Sequence, residues 1–247
     1  MMNYLGSGRG RRVVSGGGLE ALAPNEIAGL AAWWKADALS LSNNDPVGTW
    51  LDSSGNSHPL AGFTTARPLY KTNVQNSLPG VLFDGVNDLL EVTLSVGAFT
   101  LVWVLKVTTG GVLWWAEGPA GNEDIVQAAD PGLVVQRSDG DGVVLSVDEG
   151  DTSWMNGTSV IVVRMDGTFA RTTVRRNGVE LLLSVWEEGA DGDPGVTATS
   201  RSIFVGSQDG DDPIAGHLLE GMFFNGGLSD AAIEQVESYA NDKWALY

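Results

Sequence analysis

From Ile27 onward the chain never sustains a long apolar run. Stretches of 3–9 apolar and β-branched residues end each time at Gly, Asp, Asn or Pro. Runs that short do not complete a helix of ordinary length, but they match strands enriched in Val, Leu, Thr and Trp. Residues 81–83, 89–94, 99–107, 112–115, 133–136, 143–147, 160–164 and 203–206 are the predicted strands. Glycine supplies 33 of 247 residues, near twice its usual share of ~7%, which suits the many tight turns that such strands need. Within residues 172–182, Asn177-Gly178 sits between strand-formers; both residues tolerate positive φ, which predicts a hairpin with a type I′ turn. One helix is predicted, near the C-terminus. Ser229 caps it, Asp230 suits its positive end, and Ile233, Val236, Ala240 and Trp244 share one face. Trp33-Trp34 and Trp114-Trp115 are adjacent pairs, so in strands each pair sends one ring into the core and the other out. Many short strands and a single terminal helix predict an all-β sandwich.

Residues 1–24 stand apart. Through Gly18 glycines alternate with Arg9, Arg11 and Arg12 and close on Gly16-Gly17-Gly18, so nothing there buries a face. The segment reads as an extended N-terminal arm, with residues 25–247 as one sandwich domain. Tyr4, Leu5, Arg9, Arg11 and Arg12 are its candidate partner-binding residues. Clustered arginines suit an acidic protein surface, whereas three charges give only a weak, salt-sensitive hold on nucleic acid. The net charge is −17, and the first 18 positions carry Arg9, Arg11 and Arg12 with no acid, so the body is more acidic still. Such a body repels phosphate backbones and anionic membranes, and neither is an expected partner. No apolar run approaches the ~18 residues of a membrane span. No apolar stretch follows the N-terminal charges, so no secretory signal is expected. The chain has no cysteine, which removes disulfides, thiolate metal sites and cysteine nucleophiles.

Several blocks taken in order carry a family resemblance. They are Gly29-Leu30-Ala31-Ala32-Trp33-Trp34-Lys35-Ala36-Asp37, Trp50-Leu51-Asp52-Ser53-Ser54-Gly55-Asn56, Arg67-Pro68 and Phe83-Asp84-Gly85-Val86-Asn87-Asp88. Near the end come Ala215-Gly216-His217-Leu218-Leu219-Glu220, Leu228-Ser229-Asp230 and Tyr239-Ala240-Asn241-Asp242-Lys243-Trp244. The series resembles concanavalin A-like (laminin-G/laminarinase-type) jelly-roll domains, in particular those of tailed-phage virion proteins and large bacterial surface proteins. The resemblance spans residues 27–247 and implies two curved antiparallel sheets, without implying an activity. Read as residues, Asp52 to Asn56 is turn chemistry, and Phe83-Asp84-Gly85 is a strand end whose Phe points inward. Both read as architectural.

The jelly roll also raises the question of glycoside hydrolysis, which needs two carboxylates about 5–9.5 Å apart. Glu149-Gly150-Asp151 offers Glu and Asp at the family's offset, but no second Glu follows and Gly150 makes it a turn. Glu187-Glu188 reads as a loop pair and Glu234 with Glu237 as a solvated helix face. No Gly-x-Ser-x-Gly elbow is present; His58 precedes Pro59 in a turn, and His217 reads as a packed histidine. The expectation is therefore no enzyme and no cofactor. A structural calcium is the one metal weighed, at Asp209, Asp211 and Asp212 or at the Asp139-Gly140-Asp141 and Asp191-Gly192-Asp193 loops. The alternative for all three loops is an acidic, solubilising turn. Trp114, Trp115 and Trp154 are candidates to stack on a sugar ring, against the alternative of core packing.

Together these readings predict a non-enzymatic structural or interaction protein of a virus particle: a capsid decoration or head-fibre component, or a tail protein. It would reside in the virion and bind other virion proteins through its arm, as a homo-oligomer. The alternative is a carbohydrate-binding adhesin or lectin-like module for host attachment. That reading predicts aromatics beside polar residues on one face or rim, and a surface glycan as partner.

Overall fold

The computed structural model describes residues 21–117, 123–128, 132–138, 143–148, 157–166, 172–187, 198–208 and 211–247. They form two antiparallel sheets and one C-terminal helix, the predicted sandwich. The eight-stranded sheet contains β1 (Leu30–Lys35), β4 (Leu69–Gln75), β5 (Leu78–Asp84), β7 (Phe99–Thr109), β12 (Ser159–Met165), β13 (Thr172–Arg176), β14 (Val179–Glu180) and β17 (Ala215–Asn225). Its order is β14-β13-β12-β7-β17-β5-β4. β1 lies along the second half of β17, with Lys35 opposite Glu220, while β5 lies along the first half, with Val81 opposite Leu218. The nine-stranded sheet contains β2 (Thr49–Trp50), β3 (Leu60–Gly62), β6 (Leu90–Val96), β8 (Gly111–Glu117), β9 (Glu123–Ala128), β10 (Gly132–Ser138), β11 (Val143–Asp148), β15 (Ser184–Glu187) and β16 (Thr199–Val205). It runs β15-β11-β10-β9-β8-β16-β6-β3-β2.

Side-chain alternation decides which face packs. On β6, Leu90, Val92, Leu94 and Val96 are buried while Glu91, Thr93 and Ser95 face away. On β7, Leu101, Trp103, Leu105 and Val107 enter the space between the sheets with Trp34, Trp50, Trp114 and Phe223. The other side of β7 is also apolar: Val102 and Val104 join Val160, Val162, Leu219 and Met222 beneath the helix α1 (Asp230–Trp244). Central strands covered on both faces read as nearly continuous apolar runs. The Trp33-Trp34 pair does split between faces, yet Trp33 is not free, because α1 covers it. The hairpin forms as predicted, with Asn177 at φ 48° and Gly178 at φ 80° between β13 and β14.

The helix follows its sequence signals with one correction. Ser229 accepts the Ala232 N–H as cap, and Ile233, Val236, Ala240 and Trp244 are buried. Glu237, expected on the solvated face, is instead 2% exposed. It lies one turn after Ile233 and so faces the sheet, where it takes a bidentate bond from Arg175 on β13 at 2.9–3.1 Å. Glu220 on β17 forms the second lock. Fully buried, it accepts Nε1–H of Trp33 (2.6 Å), Nε1–H of Trp244 (2.7 Å) and the Tyr239 hydroxyl (2.9 Å). Lys243 Nζ pairs with it at 2.9 Å and also with Asp37 at 2.9 Å. Burial, and then the Glu220 charge, push the Tyr239 phenol far above its ordinary value. Ahead of β1, the Leu22 N–H donates to Gln235 Oε1 on α1 and Pro24 is buried.

Candidate functional site

Several predicted residues lie outside the described ones: the arm's Tyr4, Leu5, Arg9, Arg11 and Arg12, the aromatic Trp154, the carboxylates Glu149 and Asp151, and Asp209. Trp114 is described and is corrected. It is fully buried between the sheets, stacked on Phe223 at 5.2 Å and tilted on Phe99 at 6.3 Å. A register shift between Val112 and Trp114 on β8 places Leu113 and Trp114 both in the core, so this ring is not a sugar platform.

Trp115 points to the opposite, outer face of the nine-stranded sheet. There it stacks on Phe204 of β16 at 5.0 Å and 27°, with Val112 and Ile125 beside it in a small separate cluster. Trp115 itself is 7% exposed, so the half-exposed ring of the pair is Phe204. Register defines what surrounds it. One row crosses the strands as Ala61, Glu91, Phe204, Trp115, Ile125 and Gln136. The next row along holds Thr93, Ser202 and Glu117. The face is thus an aromatic centre bordered by carboxylate, hydroxyl and amide groups, and Phe63, 43% exposed, follows β3 at its edge. Sequence reading had found Trp115 but not Phe204; the signal available was strand alternation, which sets Phe204 opposite to Ile203 and Val205.

The motif carboxylates are occupied in building turns, as expected. Asp52 accepts the N–H groups of Trp33, Ser54 and His58 at 2.7–2.9 Å and the Ser54 hydroxyl at 2.8 Å. Burial would raise its carboxyl, but those N–H donors outweigh burial and hold it below the ordinary value. The His58 carbonyl accepts Trp34 Nε1–H at 2.7 Å, which fixes the turn on β1. Asp88 accepts the Asp84 N–H at 2.8 Å, and burial, with the Asp84 charge adding, raises it to about 6. Phe83 is fully buried, as predicted. Asp211 and Asp212 are exposed; Gln208 and Asp211 exchange backbone bonds at 2.8 Å, and the Asp212 carbonyl accepts the Val112 N–H. Among the described residues no three His, Cys, Asp or Glu side chains group as a metal site. His217 is half-buried on the outer face of the eight-stranded sheet; burial, then the Lys106 and Lys71 charges, lower it.

No protein-family model matches the sequence, and no curated protein matches it. Solved structures do. Domain 4 of a GH43 extracellular arabinanase from Geobacillus stearothermophilus, in complex with arabinotriose, superposes with a TM-score of 0.57 at 16% identity, over 84% of this chain and 98% of that one. The ligand-binding domain of botulinum neurotoxin serotype D, in complex with N-acetylneuraminic acid, gives 0.58 at 11% identity over 83% of this chain. Trypanosoma rangeli sialidase gives 0.55 at 14% identity over 87% of this chain. The chain spans 52% of the neurotoxin domain and 33% of the sialidase. At these identities the likeness is one of fold: the antiparallel β-sandwich.

Proposed function

We propose that this chain is a glycan-recognising, non-catalytic β-sandwich module of the adhesin or lectin-like kind. The observation that carries the reading is the Phe204–Trp115 stack on the outer face of the nine-stranded sheet, bordered by Glu91, Thr93, Ser202, Glu117 and Gln136. A sugar offers an apolar C–H face and a rim of hydroxyls, which are the complements of a ring and of surrounding carboxylate, hydroxyl and amide groups. Support comes also from the neighbours of like fold, whose structures hold arabinotriose and N-acetylneuraminic acid. The non-catalytic part of the reading rests on Glu149-Gly150-Asp151, which lacks the second Glu of the family's hydrolases. The sequence resemblance to tailed-phage proteins suggests the setting. In it the module projects from a virion, and Arg9, Arg11 and Arg12 of the arm join it to other virion proteins and to copies of itself.

The test is a glycan-array screen followed by calorimetry on the strongest ligand. Phe204→Ala is expected to weaken binding about tenfold, equivalent to ~1.4 kcal/mol, while unfolding stays cooperative. Absence of binding across the array, or affinity indifferent to Phe204→Ala, overturns the reading.

A further inference from the structure

Strand parity on the opposite sheet places an uncommon group of charges together. Tyr70, Val81, Phe83, Leu105, Val107 and Leu218 point between the sheets. Their neighbours Lys71, Gly80, Leu82, Lys106 and His217 therefore lie on the outer face. Register sets them side by side on four adjacent strands: Lys71 of β4 opposite Gly80 of β5, Leu82 of β5 opposite His217 of β17, and His217 opposite Lys106 of β7. Adjacent strands are ~4.8 Å apart, so β4 and β7 stand ~14 Å apart with His217 between them, within reach of both flexible lysine stems.

These cations are not there to neutralise nearby acids. Neither Lys71 nor Lys106 makes an ion pair among the described residues; Lys71 Nζ donates to Asn44 Oδ1 at the rim. Asp84, the next outward position on β5, is turned back to accept the Val86 N–H, and Asp37 is held by Lys243. On a chain of net charge −17, two lysines that make no ion pair flank the imidazole of His217, which burial and their charges hold below its ordinary value, and they leave a local positive field there. Gly80 lets Val74 and His217 pack closely over β5, since a Cβ there would stand 3.3 Å from Val74 Cγ2 and 3.5 Å from His217 Cβ.

We propose that the outer face of the eight-stranded sheet carries an anion site for the carboxylate of an acidic sugar, formed by Lys71, Lys106 and His217 around Gly80. A single carboxylate meets only the local positive field, whereas an extended polyanion is repelled by the acidic remainder of the chain. Leu82 and Val74 offer an apolar floor for the ring, and Asn43, Asn44 and Thr108 offer a polar rim for its hydroxyls. That the carboxylate is carried on a sugar rests on the glycan-binding reading above; the anion site itself does not.

The experiment titrates the full chain with N-acetylneuraminic acid and with its neutral methyl ester, read by calorimetry and by the His217 ring signals in NMR. The acid is expected to bind at least about tenfold more tightly than the ester, and to weaken as salt rises while the ester does not. Lys71→Gln combined with Lys106→Gln is expected to abolish the preference, and Phe204→Ala to leave it intact. Should the double variant fail to fold, the salt and ester comparisons on the unaltered chain still decide. Equal affinity for acid and ester, or a folded double variant that keeps the preference, overturns the site. Stronger binding of a short phosphodiester oligomer, or loss of self-association in the double variant, overturns the sugar as occupant. Acid binding at His217 with no binding of any neutral glycan supports this site and counts against the aromatic-face reading alone.

Discussion

Burial raises the carboxyls of two turn aspartates, yet they end on opposite sides of the ordinary value. Asp52 is surrounded by N–H donors and stays ionised more readily than usual, while Asp88, 5% exposed, has one N–H donor and a neighbouring carboxylate and is raised to about 6. The consequence for stability has a definite sign. Folded Asp88 holds its proton more tightly than the unfolded chain, whose value is the ordinary 3.8. Its contribution is therefore fully present below pH ~4 and is lost as pH rises from ~4 to ~6. Asp88→Asn keeps an acceptor for the Asp84 N–H and removes the buried charge. Urea unfolding is expected to show this variant more stable than the parent by about 1–3 kcal/mol at pH 7, with the two converging near pH 4. A variant less stable at pH 7 would show that the Asp88 charge is wanted where it stands. Both turns were legible in the sequence because most of their Asx chemistry is local: Asp52 accepts from Ser54 and His58, and Asp88 from Asp84. The bond from Trp33 to Asp52 spans 19 positions and was not legible.

At the scale of elements, the helix was readable and its seat was not. Cap, acidic first turn and apolar spacing all belong to residues 229–244, and all are realised. What lies beneath belongs to strands distant in sequence. Glu220 is linked to Trp33 across 187 positions, and Arg175 to Glu237 across 62. A carboxylate read alone in a helix looks solvated; only the partner's position shows it buried. The strands tell the same story. Runs such as 99–107 and 160–164 were plain because both faces are apolar, whereas β9 and β15 carry mixed sequences that pairing alone defines. For the candidate site, Trp115 was visible and its partner Phe204 was not, because a stack across two strands is a property of register. The lock gives a direct test. Trp244→Ala is expected to cost 3–5 kcal/mol, the usual range for truncating a buried tryptophan. Glu237→Ala is expected to cost a similar ~3–5 kcal/mol, because it leaves the Arg175 guanidinium half-buried without its carboxylate. Denaturant midpoints measured side by side decide it; a near-neutral Glu237→Ala would mean that Arg175 finds water or Glu180 instead.

For the whole molecule, three apolar clusters divide the work: one between the sheets, one under α1 and a small one on the outer nine-stranded face. Among the described residues, each of them begins at Ile27 or later. Leu22, nearer the N-terminus, is exposed and contributes one hydrogen bond to Gln235 rather than packed surface. Hydrophobic burial dominates folding free energy, while an exposed hydrogen bond adds ~1 kcal/mol or less. Stability therefore rests on the residues from Ile27 onward. A protein beginning at Ala21 is expected to keep its thermal unfolding transition within a few degrees of the parent, since ~1 kcal/mol moves the midpoint of a domain this size by ~2–4 °C. Any self-association or docking that the arm supplies would go with residues 1–20, because they hold Arg9, Arg11 and Arg12, the clustered arginines of the arm. Sedimentation of the two chains in low and moderate salt measures the second effect, for contacts made by exposed arginines weaken as the Debye length falls from ~30 Å to ~8 Å. A truncated chain that loses cooperative unfolding would place the arm within the core; one that folds and still assembles would move the assembly surface to the sandwich, where the exposed Val179 and Leu182 beside the β13–β14 hairpin are the first apolar residues to alter.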